Sequence, residues 1–142
     1  MKKTVKSFVL ATLFMLAASF QQTQAQDLSC IRQGQVIGAI LAKYKQLGAC
    51  KSFLKAPKTK ELKTPDGVGR FNHFEGGSIY WTPQTGAHEV HGAIRSKWES
   101  MGWERSFLGY PTTDEVKKVD GTCYSKFQGG RFSGKMAEGS GW

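Results

Sequence analysis

Two sets of four large apolar residues along the chain share the spacing i, i+4, i+8 and i+11. The first set is Val36, Ile40, Tyr44 and Leu47, and the second is Val90, Ile94, Trp98 and Met101. Side chains with this spacing lie on one face of an α-helix. A glycine follows each set directly, at Gly48 and Gly102, where a left-handed residue ends a helix. The pattern predicts two amphipathic helices.

A second pair of glycines, Gly38 and Gly92, falls inside the predicted helices at matched positions. A glycine in a helix interior costs up to about 1 kcal/mol relative to alanine. Because the cost recurs at the same place, we expect another backbone or an aromatic ring to approach closely there.

Each predicted helix is followed by a segment that is typical of a β-hairpin. Residues 70–75 and 78–82 flank Gly76 and Gly77, which tolerate positive φ and suit a two-residue primed turn. Gly129 and Gly130 repeat this arrangement further along the chain. We therefore expect one hairpin after each helix.

The helix and the hairpin together form an internal repeat. With an offset of 54 residues, nearly half of the positions from 36 to 67 are identical to their matches, and the match resumes one residue out of step at Phe74 and Phe127. Repeat one covers about 36–83 and repeat two about 90–135. The predicted fold is a small single α+β domain of two helix–β-hairpin repeats packed pseudo-symmetrically, capped by residues 26–35 and by Trp142.

The first 25 residues are predicted to be a secretion signal peptide. Three lysines precede an apolar run over 8–20 that is too short to cross a membrane, and small residues lead up to Ala25. We expect cleavage after Ala25, a domain over 26–142 without a transmembrane segment, and a secreted, periplasmic or envelope-associated protein.

The composition adds a positive charge and three cysteines. The formal net charge is +9, and the lysine-rich segment 43–63 contains Glu61 as its single acid. This asymmetry indicates either an anionic partner, such as an envelope polymer, or a solvated face; export argues against nucleic acid. In an oxidising compartment two of Cys30, Cys50 and Cys123 should pair, with all three pairings open and the third thiol buried.

Three strings of the chain resemble the LGFP repeat: GSIYW at 77–81, TGAHEVHGAI at 85–94 and WERSFLGYP at 103–111. Tyr110 replaces the phenylalanine of the signature. The resemblance is close over 70–115 and degenerate over 36–61, where the matching tetrapeptide begins at Leu54 and lacks both the glycine and the aromatic residue.

The resemblance carries expectations about function. Proteins with this repeat are exported and associate with the bacterial cell envelope, often beside an enzyme such as a mycolyltransferase or a cell-wall hydrolase, and the repeats are regarded as non-catalytic wall-association modules. It therefore implies binding rather than catalysis, with no cofactor. This chain is expected to act without an attached enzyme.

Four aromatic residues are predicted to form a binding face, because tyrosine and tryptophan offer flat apolar rings with a polar edge to a sugar or a protein. They are Tyr80, Trp81, Trp103 and Tyr110. Packing in the core is the competing interpretation. Two further aromatic residues, Trp98 and Phe107, are expected in the core because aromatic residues match them in repeat one.

Three histidines complete the candidate ligand-binding residues. His88 and His91 are expected on one face at the start of the second helix, with His73 approaching from the hairpin. The motif is HExH and lacks the spacing of HExxH, so no metal site is predicted. The competing interpretation is that these histidines form hydrogen bonds at the junction of helix and hairpin.

The leading functional hypothesis is a secreted, non-catalytic module that binds cell-wall glycan. One alternative is a protein-interaction factor, an inhibitor or adaptor, whose partner is an envelope protein. A second is a small cell-wall hydrolase that uses a metal ion or a pair of carboxylates and loses its activity in His88→Ala or Glu89→Ala. We expect a monomer, with a dimer as the alternative.

Overall fold

The structure is a computed structural model that describes residues 27–135. The predicted signal peptide and the cap at Trp142 lie outside these residues. The helices are α1 (Gly38–Gln46) and α2 (Gly92–Ser100), each followed by a short 3-10 helix, Ala49–Lys51 and Trp103–Arg105. The strands are β1 (Leu62–Lys63), β2 (Arg70–His73), β3 (Gly77–Thr82), β4 (Gly86–His91), β5 (Val116–Lys117), β6 (Thr122–Phe127) and β7 (Gly130–Lys135).

The strands form two antiparallel sheets, which confirms the α+β class. Sheet one has the order β1-β2-β3-β4 and sheet two the order β5-β6-β7. The pseudo-symmetric packing of the two repeats stays a prediction, as do their boundaries. Within residues 27–135, no helix combines the length and apolar character that crossing a membrane requires.

Helices and sheets alternate in layers. Ile79 on one face of sheet one shares a buried cluster with Ile40 of α1. On the other face, Tyr80 shares a second cluster with Trp98 of α2 and with Phe127 of sheet two. Sheet one therefore lies between the two helices, and α2 lies between the two sheets.

The second helix begins later than its apolar spacing predicts. Val90 lies in β4, which pairs with β3 over its full length, and α2 begins only at Gly92. His88 and His91 are therefore strand residues, and the expected helical face with both histidines is wrong. Gly92 has φ +52°, and a Cβ there would meet no atom within 4 Å. Gly92, like Gly38 with φ +54°, is thus required by backbone conformation and not by a close neighbour.

The hairpin glycines have a different role from the predicted turn. Three residues connect β2 and β3, and neither Gly76 nor Gly77 has positive φ. Instead, a Cβ on Gly76 would lie 1.9 Å from the carbonyl oxygen of Phe53. Gly129 stands in the same relation to Phe107, also at 1.9 Å. Glycine is required at both places because a preceding segment of backbone crosses there.

The structure shows which cysteines pair and where the two aromatic residues predicted for the core lie. Cys30 and Cys50 form a disulfide, while Cys123 is free and buried. Trp98 is buried as expected, but Phe107 is 77% exposed, so its core placement is wrong. Leu108 occupies the core at that point of the chain instead.

Candidate functional site

A surface pocket of about 290 Å³ lies between the start of α1 and the aromatic strand β3. Trp81, which is partly buried, lines it opposite the exposed first residues of the helix. The full lining is Ile37, Gly38, Ala39, Ile40, Glu61, Arg70 and Trp81. The walls are mainly apolar, and one pair of charged side chains supplies the polar groups.

The charged pair of the pocket is Arg70 and Glu61. Arg70 is the register partner of Trp81 on the adjacent strand, so both side chains lie on the same face of sheet one. Nε of Arg70 lies 3.9 Å from Oε1 of Glu61. Burial raises the pKa of Glu61, and the charge of Arg70 opposes this shift. The pocket therefore offers hydrogen-bond donors and acceptors beside a flat indole ring.

The second repeat does not reproduce this pocket. Gly134 stands where repeat one has Trp81, and the positions matching Ile37 and Glu61 are occupied by His91 and Glu115. Nε2 of His91 lies 3.5 Å from Oε1 of Glu115, so the two side chains contact each other. Of the two matched places, only the one in repeat one has an indole ring.

The four aromatic residues predicted to form one binding face do not lie on one surface. Neighbouring residues of a strand point to opposite faces, so Tyr80 lies on the other side of sheet one from Trp81. Tyr80 is 2% exposed and stacks on Phe71 with the ring centres 5.0 Å apart. Tyr110 is 4% exposed. Core packing, the competing interpretation, describes the position of both tyrosines.

Trp103 and His73 lie together on the side of sheet one that α2 covers. Their ring centres are 5.5 Å apart, and the guanidinium of Arg95 lies 5.2 Å above the Trp103 ring. Nδ1 of His73 lies 2.7 Å from Oγ of Ser78, which also accepts a 2.7 Å hydrogen bond from Nε of Arg95. Burial, reinforced by the charge of Arg95, lowers the pKa of His73. Ser78 has no exposed surface, so this serine–histidine pair is closed to a substrate.

His88 is held at the junction of the repeats. Its Nδ1 lies 3.2 Å from Oδ1 of Asp114, and its Nε2 lies 2.9 Å from the carbonyl oxygen of Thr85. Asp114 also accepts a 2.7 Å hydrogen bond from Nζ of Lys43. Burial alone would raise the pKa of Asp114, but these hydrogen bonds lower it to about 2. The carboxylate thereby links α1 to the strand that precedes α2.

His91 connects two buried carboxylates. Its Nδ1 lies 2.7 Å from Oε2 of Glu89, and the backbone N–H of Glu115 donates to Oε1 of Glu89 at 2.9 Å. The glutamate side chains are only 4% and 5% exposed. No group of three or more histidine, cysteine or acidic side chains within the described part of the chain is arranged to hold a metal ion.

The structure thus separates the seven predicted residues into four places. His73 and Trp103 share one cluster with Tyr80, whose ring centre lies 5.8 Å from that of Trp103. The other two histidines lie at the junction of the repeats, and Tyr110 is in the core. Trp81 lines the pocket beside the start of α1. Arg70 and Glu61, which line the pocket with Trp81, are not among the residues predicted from the sequence, although Glu61 is the single acid of the lysine-rich segment.

Comparison with protein families gives one match. The family model for the LGFP repeat matches residues 54–106 and 108–140, which is more than half of the chain. The matches begin at Leu54 and Leu108; the first runs through sheet one to α2 and the 3-10 helix that follows it, and the second covers sheet two. No curated protein matches the chain.

Proposed function

This chain belongs to the LGFP repeat family, and we propose that it is a secreted, non-catalytic module that binds bacterial cell-wall glycan in the pocket beside Trp81. One observation carries the proposal: a partly exposed indole ring and a charged pair line the same pocket. The indole ring can pack against the C–H face of a sugar, and the charged pair can form hydrogen bonds with its hydroxyl groups.

The chemistry of the pocket fits a sugar. The C–H face of a pyranose packs on an aromatic ring, and its hydroxyl groups need both donors and acceptors. Trp81 supplies the ring, Arg70 supplies donors and Glu61 supplies acceptors. At about 290 Å³ the pocket is slightly smaller than the usual range for ligand sites, about 300–1,000 Å³. This size suits a single sugar unit of a chain that continues into solvent.

The same pocket supports binding rather than hydrolysis. Glycoside hydrolysis generally uses two carboxylates on either side of the bond, about 5–9.5 Å apart. The pocket is lined by one carboxylate, Glu61. A pair of carboxylates elsewhere, Glu89 and Glu115, is buried and connected by His91. The proposed module therefore holds its ligand without chemical change.

Export is part of the proposal and rests on the N-terminal sequence. Three lysines, the apolar run over 8–20 and Ala25 have the order of a signal peptide. The disulfide between Cys30 and Cys50 is consistent with an oxidising compartment. Mass spectrometry of the native protein should give an N-terminus at Gln26; an intact Met1 on the protein in the envelope would contradict export by cleavage.

Sedimentation with purified cell walls tests the proposed ligand. The wild-type protein should sediment with the walls, and Trp81→Ala should stay in the supernatant. Phe107→Ala is the matched control, because it removes an exposed aromatic ring outside the pocket. Since Trp81 also packs on the core around α1, Arg70→Met is a second variant that keeps the aliphatic stem. Sedimentation of both pocket variants at the wild-type level would refute the site.

A further inference from the structure

The two faces of sheet two differ in burial: the inner face is buried against α2, and the outer face is more exposed. Along β6, Cys123, Ser125 and Phe127 are buried towards α2, whereas Tyr124 and Lys126 alternate with them on the other side. Register pairing on β7 adds two exposed side chains to this outer side, Arg131 opposite Lys126 and Ser133 opposite Tyr124. The result is a basic surface with one aromatic ring and one exposed apolar side chain, that of Val116, the register partner of Tyr124 on β5.

Comparison with sheet one shows that this surface is specific to repeat two. The matched positions of sheet one are buried or half-buried and face α2; they are Phe71, His73, Ser78 and Tyr80. In sheet two the corresponding residues are Tyr124, Lys126, Arg131 and Ser133. Two of the four positions have gained a positive charge, and one has kept an aromatic ring.

The ring of Tyr124 lies among cations. The guanidinium carbon of Arg131 is 4.9 Å from the ring centre, and Nζ of Lys118 is 5.7 Å from it. Among residues 27–135, neither Arg131 nor Lys126 has a carboxylate within salt-bridge distance. Cation–π contacts of this kind orient the cations and leave their N–H groups free to donate outward. The guanidinium fork suits the two oxygens of a carboxylate or phosphate.

We propose that the outer face of sheet two is a second binding site, for an anionic glycan, whose acid group binds Arg131 and Lys118 where Tyr124 orients them. A phospholipid headgroup would engage these cations through its phosphate, whereas a sugar acid or sugar phosphate would also present hydroxyl groups to Ser133, the exposed register partner of Tyr124. The site goes beyond the proposed function because it lies on the other sheet from Trp81 and selects for charge.

The test is calorimetric titration of the full chain with two acidic polysaccharides, polygalacturonate for carboxylate and a phosphomannan for phosphate, and with neutral dextran. At least one acidic chain should bind, with an affinity that falls as salt is added because the contacts are screened. Arg131→Gln should weaken binding roughly tenfold, as expected for the loss of a charge-assisted hydrogen bond. Tyr124→Ala should also weaken it, and Tyr124→Phe, which keeps the ring, should bind like wild type.

Lys60→Gln is the matched control, since it removes an exposed lysine of repeat one and should leave binding unchanged. Preference for one acidic chain over the other supports the site and names the acid group. The proposal is overturned if neither acidic chain binds, if dextran binds equally well, or if vesicles with phosphatidylglycerol bind in preference to both acidic chains. Acidic-chain binding that is lost in Trp81→Ala but kept in Arg131→Gln would also overturn it. Failure of the wall-binding test at Trp81 would refute the pocket in repeat one and would not affect the site on sheet two.

Discussion

The hydroxyl of Tyr110 donates to the carboxylate of Asp66, with distances of 2.6 Å and 2.7 Å to its two oxygens. It also lies 2.8 Å from Oγ1 of Thr64. The aromatic residue of the signature in repeat two is therefore anchored in the loop that precedes β2 of repeat one. Gly69 is needed at this contact, since a Cβ there would lie 2.8 Å from the tyrosine ring. The signature joins the two repeats.

Tyr110→Phe should lower the free energy of unfolding by about 1–2 kcal/mol, because the buried ring stays and a hydrogen bond to a charged group is lost. Urea denaturation of the two proteins measures the difference. Tyr124→Phe is the control, since no hydrogen bond to its hydroxyl is present among residues 27–135, and it should change stability by less than about 0.5 kcal/mol. Equal effects of the two substitutions would show that the anchor adds no stability.

Alanine substitutions at the glycines of the hairpins should differ in their effect on stability, because another segment of backbone crosses closely at Gly76 and Gly129 but not at Gly134. Gly76→Ala and Gly129→Ala should each cost more than about 2 kcal/mol, because the new Cβ would overlap a backbone carbonyl oxygen that cannot move independently. Gly134→Ala is the matched strand control, with its nearest neighbour, the Cβ of Ala93, 4.0 Å away. It should be neutral or slightly stabilising. Thermal melting ranks the three variants, and a Gly76→Ala protein as stable as Gly134→Ala would contradict the close crossing.

Two histidines are expected to titrate on opposite sides of pH 6.5. Burial alone would lower the pKa of His91, but the hydrogen bond and charge of Glu89, together with the charge of Glu115, raise it. Burial and Arg95 lower the pKa of His73. The contribution of His91 to stability is thus fully present below about pH 6.5 and is lost as the pH rises through its higher folded pKa. The contribution of His73 to stability changes in the opposite direction: it is present above about pH 6.5 and is lost as the pH falls through its lower folded pKa.

NMR titration of the imidazole resonances measures both values in one sample. The resonance of His91 should titrate above 6.5 and that of His73 below it. Glu89→Gln should lower the pKa of His91, because the carboxylate that favours its protonated form is removed, and should leave His73 unchanged. A His91 resonance that titrates below that of His73 would show that burial outweighs the carboxylates.

The features that were predicted correctly from the sequence are those that residues close together in the chain determine. The glycines after each helix, Gly48 and Gly102, have left-handed φ of +107° and +99°, as helix ends require. The apolar spacing failed at Val36, which lies before α1 begins at Gly38, and at Val90, a strand residue that contributes to the same buried cluster as the following helix. Spacing alone does not distinguish one continuous helix from a strand that runs directly into a helix.

The site was predictable only in part. Strand alternation alone separates Tyr80 from Trp81, but which ring remains accessible depends on α2 of the second repeat covering the face that carries Tyr80. Arg70 and Glu61 come together with Trp81 through pairing across strands and through the path of the chain after α1. These contacts join residues that are distant in sequence, and no local pattern records them.

The central claim is that Trp81 contacts wall glycan, and NMR detection of the tryptophan indole N–H groups tests it most directly. Soluble fragments released from purified cell walls are titrated into the labelled protein, with Trp81→Phe used to assign the signal. We predict that the Trp81 indole resonance shifts progressively and saturates, while that of Trp98, which is 1% exposed, stays in place. A Trp81 resonance that does not move while the fragments bind, or the absence of any binding, would contradict the account.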